Sequence, residues 1–518
     1  MNQKLPTKIR TSFINNRILI FISFLTIFFL LWNLHKSMFN DDAHFWYLRS
    51  QNFIQAVQFG ELRDTFQNPK PGVTVMWLTG GADFIFYKVY VALNHWDPPM
   101  YFAPVFPLYQ TITKLPLILL SFISLISVYI VTLRLFSRKV ALWTLFILSI
   151  EPFYIGISQW MHVDGTLTAF MTMSALLALY SVIEKKSYRY FVLSGILGGL
   201  ALLTKTQALF LFLYLPLIFC INSGLHRDFS PKDIKTAFKI TMIWVLTALI
   251  TFVVLFPAMW ADPAGTIRQI FQESLRVVTT GQNGIGDNHN VWWYFFVLPL
   301  RTSPLLLVSS LVGLSLMPTA LTKSKENKLA LLGILGFIFF YFAMMEIPAQ
   351  KIDRYLLPIF PFLAIIGGFV LAKSKTRRFL MIIVTSSLLF SVSYLNDLNT
   401  YFNPMVGGRK IAEKFYFLET KGEALPPVGY YLSQKEGSSE QTIMVTSLPQ
   451  SIRPFYTGTV LDINETPKKG VTIDYAVAPW NVELPTKLST CTHEKDFSSH
   501  NNLWWRVYKC PQLIMPEE

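Results

Sequence analysis

The chain has 518 residues, of which 52% are hydrophobic, 15% aromatic and only 15% charged. This composition lies on the apolar side of soluble proteins, and repeated apolar runs of about 18 to 20 residues predict transmembrane helices. The composition therefore excludes an ordinary soluble globular protein and indicates a polytopic membrane protein.

The net charge of +14 does not indicate a nucleic-acid partner, because of where the charges lie. If the apolar runs alternate across the membrane, the loops on the N-terminal side carry 21 Lys and Arg but only four acidic residues, and the rest of the chain is near neutral. An excess of basic residues on one side is the positive-inside signal. We therefore expect a cytoplasmic N-terminus, membrane lipids around the helices and no nucleic acid.

The apolar runs and the basic residues between them predict about eleven transmembrane helices. They lie near residues 17–36, 112–133, 140–158, 165–183, 190–204, 208–222, 240–258, 303–320, 329–345, 355–372 and 379–395. The first run lacks a small-residue cleavage site, so we interpret it as a retained helix and not as a signal peptide. An odd number of spans places the C-terminus on the extracytoplasmic side.

We expect two domains. Residues 1–395 form the membrane domain, with long outer segments at 37–111 and 259–302, and residues 396–518 form a small soluble domain outside the membrane. The first outer segment contains a predicted interfacial helix over Phe45–Phe59.

Strand and helix patterns in the tail predict an α/β domain. The runs TIMVTSL, TGTVLDI, VTIDYAVA and LWWRVY have strand character and are separated by Pro and Gly turns, and Gly408–Leu418 has helical character. Cys491 and Cys510 could form a disulfide on the outer side of the membrane, or both could remain free thiols.

Two adjacent carboxylates, Asp41 and Asp42, follow the first predicted span. Charges next to a bilayer are costly unless water or a partner meets them. The pair therefore indicates a polar cleft and a candidate site, and the alternative interpretation is the solvated start of a loop.

Further ionisable residues gather at the outer ends of the predicted helices. They are Lys70, Glu151, His162, Asp164, Lys205, Arg301, Lys351, Asp353 and Arg354. Singly, each fits a helix-end residue whose polar tip reaches water. Together they predict an outward-facing cavity with carboxylates that could act as bases and cations that could hold a phosphate. A lipid with a sugar-phosphate headgroup fits this set, because cations stabilise the departing phosphate while a carboxylate removes a proton from the acceptor.

A series of motifs in a fixed order carries a family resemblance. The motifs are NDDAHFWYLRSQNF, PKPGVTVMWLTG, EPFYIGISQWMHVDGTLTAFM, LSGILGGLALLTKTQ, YFFVLPLRTSP and QKIDRYLLPIFPFLAIIGG. Their order over roughly residues 15–395 resembles the GT-C superfamily of integral-membrane glycosyltransferases, specifically glycosyltransferase family 39. That family includes the dolichyl-phosphate-mannose protein mannosyltransferases, and the lipid A aminoarabinose transferases are more distant relatives.

The resemblance implies an all-α polytopic fold of the GT-C type with a small C-terminal α/β domain. It also implies transfer of a sugar, with inversion, from a polyprenyl-phosphate donor to a protein, lipid or glycan acceptor on the extracytoplasmic face. In this interpretation Asp41 is the catalytic base, and Asp42 and Asp164 assist in positioning the substrates. The donor phosphate would be held by Lys70, Lys205, Arg301, Lys351, Arg354 and Tyr355.

Two points of the resemblance stay open. Many bacterial relatives have HPGVT where this chain has KPGVT, and Lys70 is similar to a lysine of the aminoarabinose transferases, so the donor sugar is not identified. Some family members use a divalent metal. Glu151, His162 and His289 could support the site, and the two histidines could be ligands, but no HxxxH or CxxC spacing is present.

The main alternative from another class is a transporter or flippase for polyprenyl-linked lipids or oligosaccharides. Such proteins carry ionisable residues near the membrane midplane or interrupted helices from an internal repeat. The chain has no convincing repeat, and apart from Glu151 its ionisable residues favour the outer boundary. An oligosaccharide ligase or polymerase is a closer rival, with a different motif order.

Overall fold

The structure is a computed structural model, and it describes residues 7–36, 41–96, 103–226, 230–281, 292–316, 325–374, 376–414, 422, 424–465, 471–499 and 502–514. Within these ranges, helices dominate up to residue 393 and the strands lie after it. The helices of the first part are α1 (Thr7–Leu31), α2 (Asp41–Phe59), α3 (Val73–Asn94), α4 (Phe106–Leu135), α5 (Arg138–Ser149), α6 (Pro152–Ser158), α7 (Val163–Ile183), α8 (Tyr188–Thr204), α9 (Phe210–His226), α10 (Pro231–Val254), α11 (Ala258–Ala261), α12 (Pro263–Thr279), α13 (Trp293–Arg301), α14 (Pro304–Ser315), α15 (Lys325–Glu346), α16 (Phe360–Leu371) and α17 (Arg377–Ser393).

Apolar helices account for the predicted spans. Within the described ranges, seven helices are long and apolar enough to cross a membrane, and two bent helix pairs raise the number to nine. One bent pair is α5 and α6, which meet at 67°. The shorter α8 and α14 are also apolar. Every predicted span coincides with one of these helices or pairs, which confirms a multi-pass membrane protein, while the number of crossings stays a prediction.

Glycines allow a close helix contact in the membrane part, between α8 and α10. A Cβ atom added to Gly199 would lie 2.5 Å from the Ala248 carbonyl oxygen, and one added to Gly195 would lie 2.8 Å from the Trp244 carbonyl oxygen. Small residues at four-residue spacing let helix backbones approach in a membrane. The LSGILGG motif therefore fixes the distance between these two helices, and with it the position of the C-terminal end of α8.

Helices α2 and α3 form a separate apolar cluster with the start of α4. Phe53 of α2, Met76 of α3 and Phe106 of α4 are buried in it. The helix expected over Phe45–Phe59 is present, but it begins earlier, at Asp41. Helix α3 was not predicted, because Asp83 and Lys88 interrupt its apolar residues. Burial against α2 and α4 stabilises it as a helix in spite of them.

The C-terminal part forms one five-stranded mixed sheet. Its strands are β1 (Thr442–Val445), β2 (Thr459–Asp462), β3 (Thr472–Pro479), β4 (Thr492–Ser499) and β5 (Asn502–Ile514), and its helices are α18 (Gly408–Lys414), α19 (Leu425–Ser433) and α20 (Pro449–Ile452). The strand order is β2-β1-β3-β5-β4. Strand β1 is parallel to β2 and β3, and β5 is antiparallel to β3 and β4.

The sheet matches the predicted strands except at one edge. Strand β4, with the sequence THEKDFSS, was not predicted because its residues are polar and mostly exposed. Pairing with β5 holds it in place, and Cys491, just before β4, forms a disulfide with Cys510 on β5. The sheet domain contacts the membrane part through Phe455, whose ring lies 5.5 Å from that of Phe106.

We predict that Gly199→Ala destabilises the protein, because the added methyl group would force α8 away from α10. Overpacking of this kind costs about 1–3 kcal/mol, which thermal unfolding in detergent would detect. Gly81→Ala is the matched control, since no atom lies within 4 Å of its added Cβ. Equal unfolding temperatures for the two variants would contradict the proposed tight contact.

Candidate functional site

A buried carboxylate, that of Asp164, lies at the centre of the polar residues. Its Oδ1 accepts a hydrogen bond from Lys205 Nζ at 2.7 Å, and its Oδ2 accepts one from Arg354 Nε at 2.7 Å. All three residues are less than 10% exposed. A buried cation is tolerated when it is paired and hydrogen-bonded, so Asp164 is what allows Lys205 and Arg354 to lie together here.

Asp42 joins this cluster from the more exposed side. Its Oδ2 is 2.9 Å from Arg354 Nη2 and 3.5 Å from His162 Nε2. His162 Nδ1 is 3.0 Å from Asp164 Oδ2, so the imidazole ring lies between the two carboxylates. The side chain of Asp42 is 46% exposed, against 2% for Asp164. The cluster therefore opens towards solvent or a ligand at Asp42 and is closed at Asp164.

Helix ends bring these residues together. Asp42 and Asp164 lie in the first turns of α2 and α7, where the helix dipole favours a negative charge. His162 is the N-cap of α7, and Lys205 directly follows the last residue of α8. Arg354 lies in a short 3-10 helix, Asp353–Ile359, that precedes α16. Polar groups are tolerated at these positions because the membrane helices have ended.

Burial lowers the pKa of His162, although the nearby Asp164 carboxylate opposes this effect. The histidine lies outside the predicted spans, at the N-cap of α7. A lowered pKa favours the neutral ring, which donates one hydrogen bond and accepts another. In the neutral ring, Nδ1 accepts from the N–H of Asp164 at 3.4 Å and the Nε2–H faces Asp42, so His162 adds no third positive charge.

Lys70 approaches the same region on the KPGVT turn. Gly72 has a φ of 64°, and its N–H donates a hydrogen bond to the carbonyl oxygen of Thr204, which precedes Lys205. A side chain at Gly72 would collide with the indole of Trp46. Only glycine satisfies both conditions, and the turn therefore joins the Lys70 segment to the end of α8.

Lys70 pairs with a residue that the sequence patterns did not single out. Its Nζ lies 3.7 Å from Glu273 Oε1 on α12. Burial lowers the pKa of Lys70, whereas Glu273 and Asp42 raise it, and its charge also interacts with that of Arg354. Lys70 is thus within electrostatic reach of the cluster, while its ion pair is with Glu273. The amphipathic period of residues 263–279 was the signal that could have revealed α12.

Aromatic rings enclose the cluster. Lys205 Nζ lies 3.7 Å from the ring centroid of Tyr355, in a cation–π contact. The rings of Trp46 and Trp160 lie edge-on to His162, at 6.2 and 6.1 Å. Tyr355 was predicted as a site residue, but the two tryptophans were not, because tryptophan is more often a core or interface residue.

The other predicted residues lie in neighbouring contacts. Arg301 pairs with Asp353, with Nη2 and Oδ2 2.6 Å apart, and it donates to the carbonyl oxygen of Tyr401 at 2.6 Å. Lys351 donates to the carbonyl oxygens of Glu346 and Pro348, both at 2.8 Å. Glu151 is buried between α5 and α6, and its Oε1 accepts from the N–H of Ser303 at the start of α14. These contacts fix the chain around the cluster.

The structure describes no side chain for two of the predicted residues. The backbone of Asp41 begins α2, but its side chain is not among the described ones, and His289 lies in the gap 282–291. Over the described ranges, no three His, Cys, Asp or Glu side chains lie close enough together to hold a metal ion.

The arrangement can bind an anion next to a carboxylate. Arg354 and Lys205 are oriented by Asp164, and Lys70 adds a third positive charge nearby. Preoriented cations in a partly dry site stabilise negative charge without reorganising at the moment of reaction. The exposed side of Asp42 is where an anionic group and its reaction partner would approach.

A family model matches part of the chain, and solved structures match nearly all of it. Residues 102–260, less than a third of the chain, match the family model described as dolichyl-phosphate-mannose-protein mannosyltransferase. These residues run from just before α4 to α11 and include His162, Asp164 and Lys205. No curated protein sequence is significantly similar to the chain.

Solved structures show the same fold at low sequence identity. The crystal structure of ArnT from Cupriavidus metallidurans bound to undecaprenyl phosphate has a TM-score of 0.56 and 14% identity, over 97% of this chain and 99% of ArnT. The archaeal oligosaccharyltransferase AglB from Archaeoglobus fulgidus, in complex with an inhibitory peptide and a dolichol-phosphate, has a TM-score of 0.52 and 11% identity, over 98% of this chain and 75% of AglB. The chain thus has the GT-C fold, and the resemblance seen in its motifs is confirmed.

We predict that Asp164→Asn strongly destabilises the protein, because Lys205 and Arg354 would stay buried without their shared counter-ion. Breaking a buried ion pair costs about 3–5 kcal/mol. Asp42→Asn removes a carboxylate from the same cluster at a half-exposed position, where about 1 kcal/mol or less is expected. Thermal unfolding of both variants in detergent tests this, and a loss at Asp42 as large as that at Asp164 would contradict the central role of Asp164.

Proposed function

We propose that the protein is an inverting glycosyltransferase that moves a sugar from a polyprenyl-phosphate donor to an acceptor on the extracytoplasmic face of the membrane. The observation that carries this proposal is the cluster in which Asp164 orients Lys205 and Arg354 beside the half-exposed Asp42. ArnT with bound undecaprenyl phosphate and AglB with bound dolichol-phosphate support the class of donor. The family match supports a mannosyltransferase-like enzyme, with the sugar itself left open.

The cations of the cluster would bind the donor phosphate. Arg354 offers a planar guanidinium, which suits a phosphate geometrically, and Lys205 and Lys70 would contribute point charges. Tyr355 would hold Lys205 in place through its ring. Arg301 and Lys351 belong to the proposed phosphate-binding set, but Arg301 pairs with Asp353 and both residues donate to surrounding carbonyl oxygens. Their contribution would therefore be indirect unless the donor displaces these contacts.

Asp41 would act as the base, and Asp42 and Asp164 would assist in positioning the substrates. Asp164 is unsuited to proton transfer, because Lys205, Arg354 and His162 already surround it in a buried position. Asp42 already accepts a hydrogen bond from Arg354 Nη2 at 2.9 Å. Asp41, the neighbouring residue in the first turn of α2, is the remaining carboxylate of the pair.

The reaction would be a single displacement. The acceptor O–H or N–H gives its proton to the Asp41 carboxylate while the acceptor atom bonds to the anomeric carbon of the sugar. The bond from that carbon to the phosphate oxygen breaks, and its electron pair leaves with the phosphate. Attack opposite the leaving group inverts the anomeric centre. The phosphate leaves as an anion and is stabilised by the cations, so a second, acidic carboxyl group is not required.

The positive-inside pattern supports the proposed sidedness. It places the N-terminus in the cytoplasm and the ends of the helices that carry Asp42, Asp164 and Lys205 on the outer side. The sheet domain would lie on that side too, close to the acceptor. The acceptor itself, whether protein, lipid or glycan, would be identified by mass spectrometry of surface glycoconjugates from cells with and without the protein, since a missing sugar residue reveals donor and acceptor together.

We predict that Asp41→Asn lowers kcat for sugar transfer by a factor of about 10² to 10⁴, the usual contribution of a general base. The assay uses purified protein with polyprenyl-phosphate sugars and an acceptor extract. Asp42→Asn is the matched control: it should mainly raise KM for the donor, because Asp42 orients Arg354. Turnover of the Asp41 variant at the wild-type rate would rule out this base, and a large kcat loss confined to the Asp42 variant would transfer the role to Asp42.

A further inference from the structure

Helix α12 carries a carboxylate that faces the proposed phosphate-binding lysine. Glu273 Oε1 lies 3.7 Å from Lys70 Nζ, and the side chain of Glu273 is only 14% exposed. The same carboxylate accepts two hydrogen bonds from Arg276, from Nε at 2.8 Å and from Nη2 at 2.7 Å. Glu273 is thus held firmly by Arg276 and loosely by Lys70.

The opposite face of α12 is apolar and exposed. Ile267, Phe271 and Leu275 recur every four residues on this face and are 54%, 61% and 47% exposed. The exposed apolar surface continues onto Trp260 and onto Val254, at the end of the apolar span α10. An amphipathic helix next to a membrane span is typical of the membrane interface, so Glu273 points away from lipid and towards Lys70.

The C-terminal end of α12 is joined to the chain that leads to Arg354. The N–H groups of Ala349 and Gln350 donate to the carbonyl oxygens of Val278 and Val277, at 2.9 and 3.3 Å. Arg354 follows only four residues after Gln350. Helix α12 therefore contacts both the Lys70 turn and the segment that carries Arg354. A ligand bound between Lys70 and Arg354 would lie next to this helix.

We propose that Glu273 is the resting counter-ion of Lys70 and that the phosphate of the polyprenyl carrier must replace it. This inference rests on the proposed function. Without a ligand, the charge of Lys70 lies near those of Arg354 and Lys205, and Glu273 offsets their repulsion. When a phosphate arrives, two anions compete for one ammonium group. The contact of 3.7 Å is long for a charge-assisted hydrogen bond, and Arg276 keeps Glu273 compensated after it is displaced.

The exchange gives Glu273 a role in product release. Transfer of the sugar converts a phosphodiester into a phosphate monoester, which carries more negative charge and binds the cations more tightly. The Glu273 carboxylate competes with this product for Lys70 and therefore favours dissociation of the product. Glu273 is thus a positioning residue that acts through Lys70 and sets the affinity for the carrier lipid.

The test is the affinity of the full-length protein in detergent for undecaprenyl phosphate. Glu273→Gln should bind it about threefold more tightly, since the competing charge is removed from a partly exposed pair. Arg276→Gln should bind it more weakly, because Glu273 then loses its second partner and pairs more strongly with Lys70. Product inhibition of sugar transfer should change in the same two directions. A role of Glu273 in folding alone would not produce opposite shifts in affinity.

Three controls make the test specific. Glu184→Gln removes a similar contact, 3.8 Å from Lys186, at the far end of α7 from Asp164, and should leave the affinity unchanged. In a Lys70→Met background, Glu273→Gln should have no further effect, as a double-mutant cycle requires for residues that act on each other. Uncharged undecaprenol should bind the wild type and Glu273→Gln equally.

The outcomes separate this inference from the proposed function. If wild-type protein binds undecaprenyl phosphate but Glu273→Gln leaves the affinity unchanged or weakens it, the counter-ion role is wrong and the proposed donor class stands. The same conclusion follows if the effect of Glu273→Gln persists without Lys70. If the wild type itself shows no preference for undecaprenyl phosphate over undecaprenol, the proposed donor class fails, and the counter-ion role fails with it.

Discussion

The buried carboxylate of Asp164 is the constraint on which the candidate site depends. Two cations and a histidine from different parts of the chain meet at this one group. Removing Lys205 or Arg354 from water is costly, and only a hydrogen-bonded partner of opposite charge offsets that cost. The start of α7, the end of α8 and the 3-10 helix before α16 therefore have one arrangement in which all charges are compensated. This arrangement determines the geometry of the site.

Three peripheral elements add more exposed charged residues around Asp164. Helix α2 brings the half-exposed Asp42, the KPGVT turn brings Lys70, and α12 brings Glu273. These elements pack in a smaller apolar cluster than the main helices do. The charges around Asp164 are buried and compensated, whereas Asp42, Lys70 and Glu273 form a more exposed rim. This suits a reaction in which a lipid carrier must bind, react and leave, because the rim residues can exchange partners while the central residues keep their orientation.

The sheet domain packs against the apolar cluster that contains α2. Phe455 packs on Phe106 in the cluster that also contains α2, and Lys36 lies over the ring of Tyr430 at 5.0 Å. Arg301 holds the start of the connection to the sheet through the carbonyl oxygen of Tyr401. Arg301 was predicted as a phosphate ligand, and the structure shows a competing use for it: its donors also satisfy the backbone carbonyl oxygens of Asn399 and Tyr401.

The amino-acid sequence by itself determined the helical membrane architecture, four of the five strands and the set of ionisable residues at the outer helix ends. Each of these is a local pattern: an apolar run, an alternation of residues, or a charge that ends a span. It missed α3 and β4, whose polar residues are tolerated only through packing against other elements, and also α12, although its amphipathic period is a local pattern. Only the tertiary structure decided which charges meet, because Asp164 and Asp42 reach Arg354 across 190 and 312 residues and Glu273 reaches Lys70 from another helix. Such pairs depend on the free energy of burying a charge, which is defined once the whole chain has folded around it.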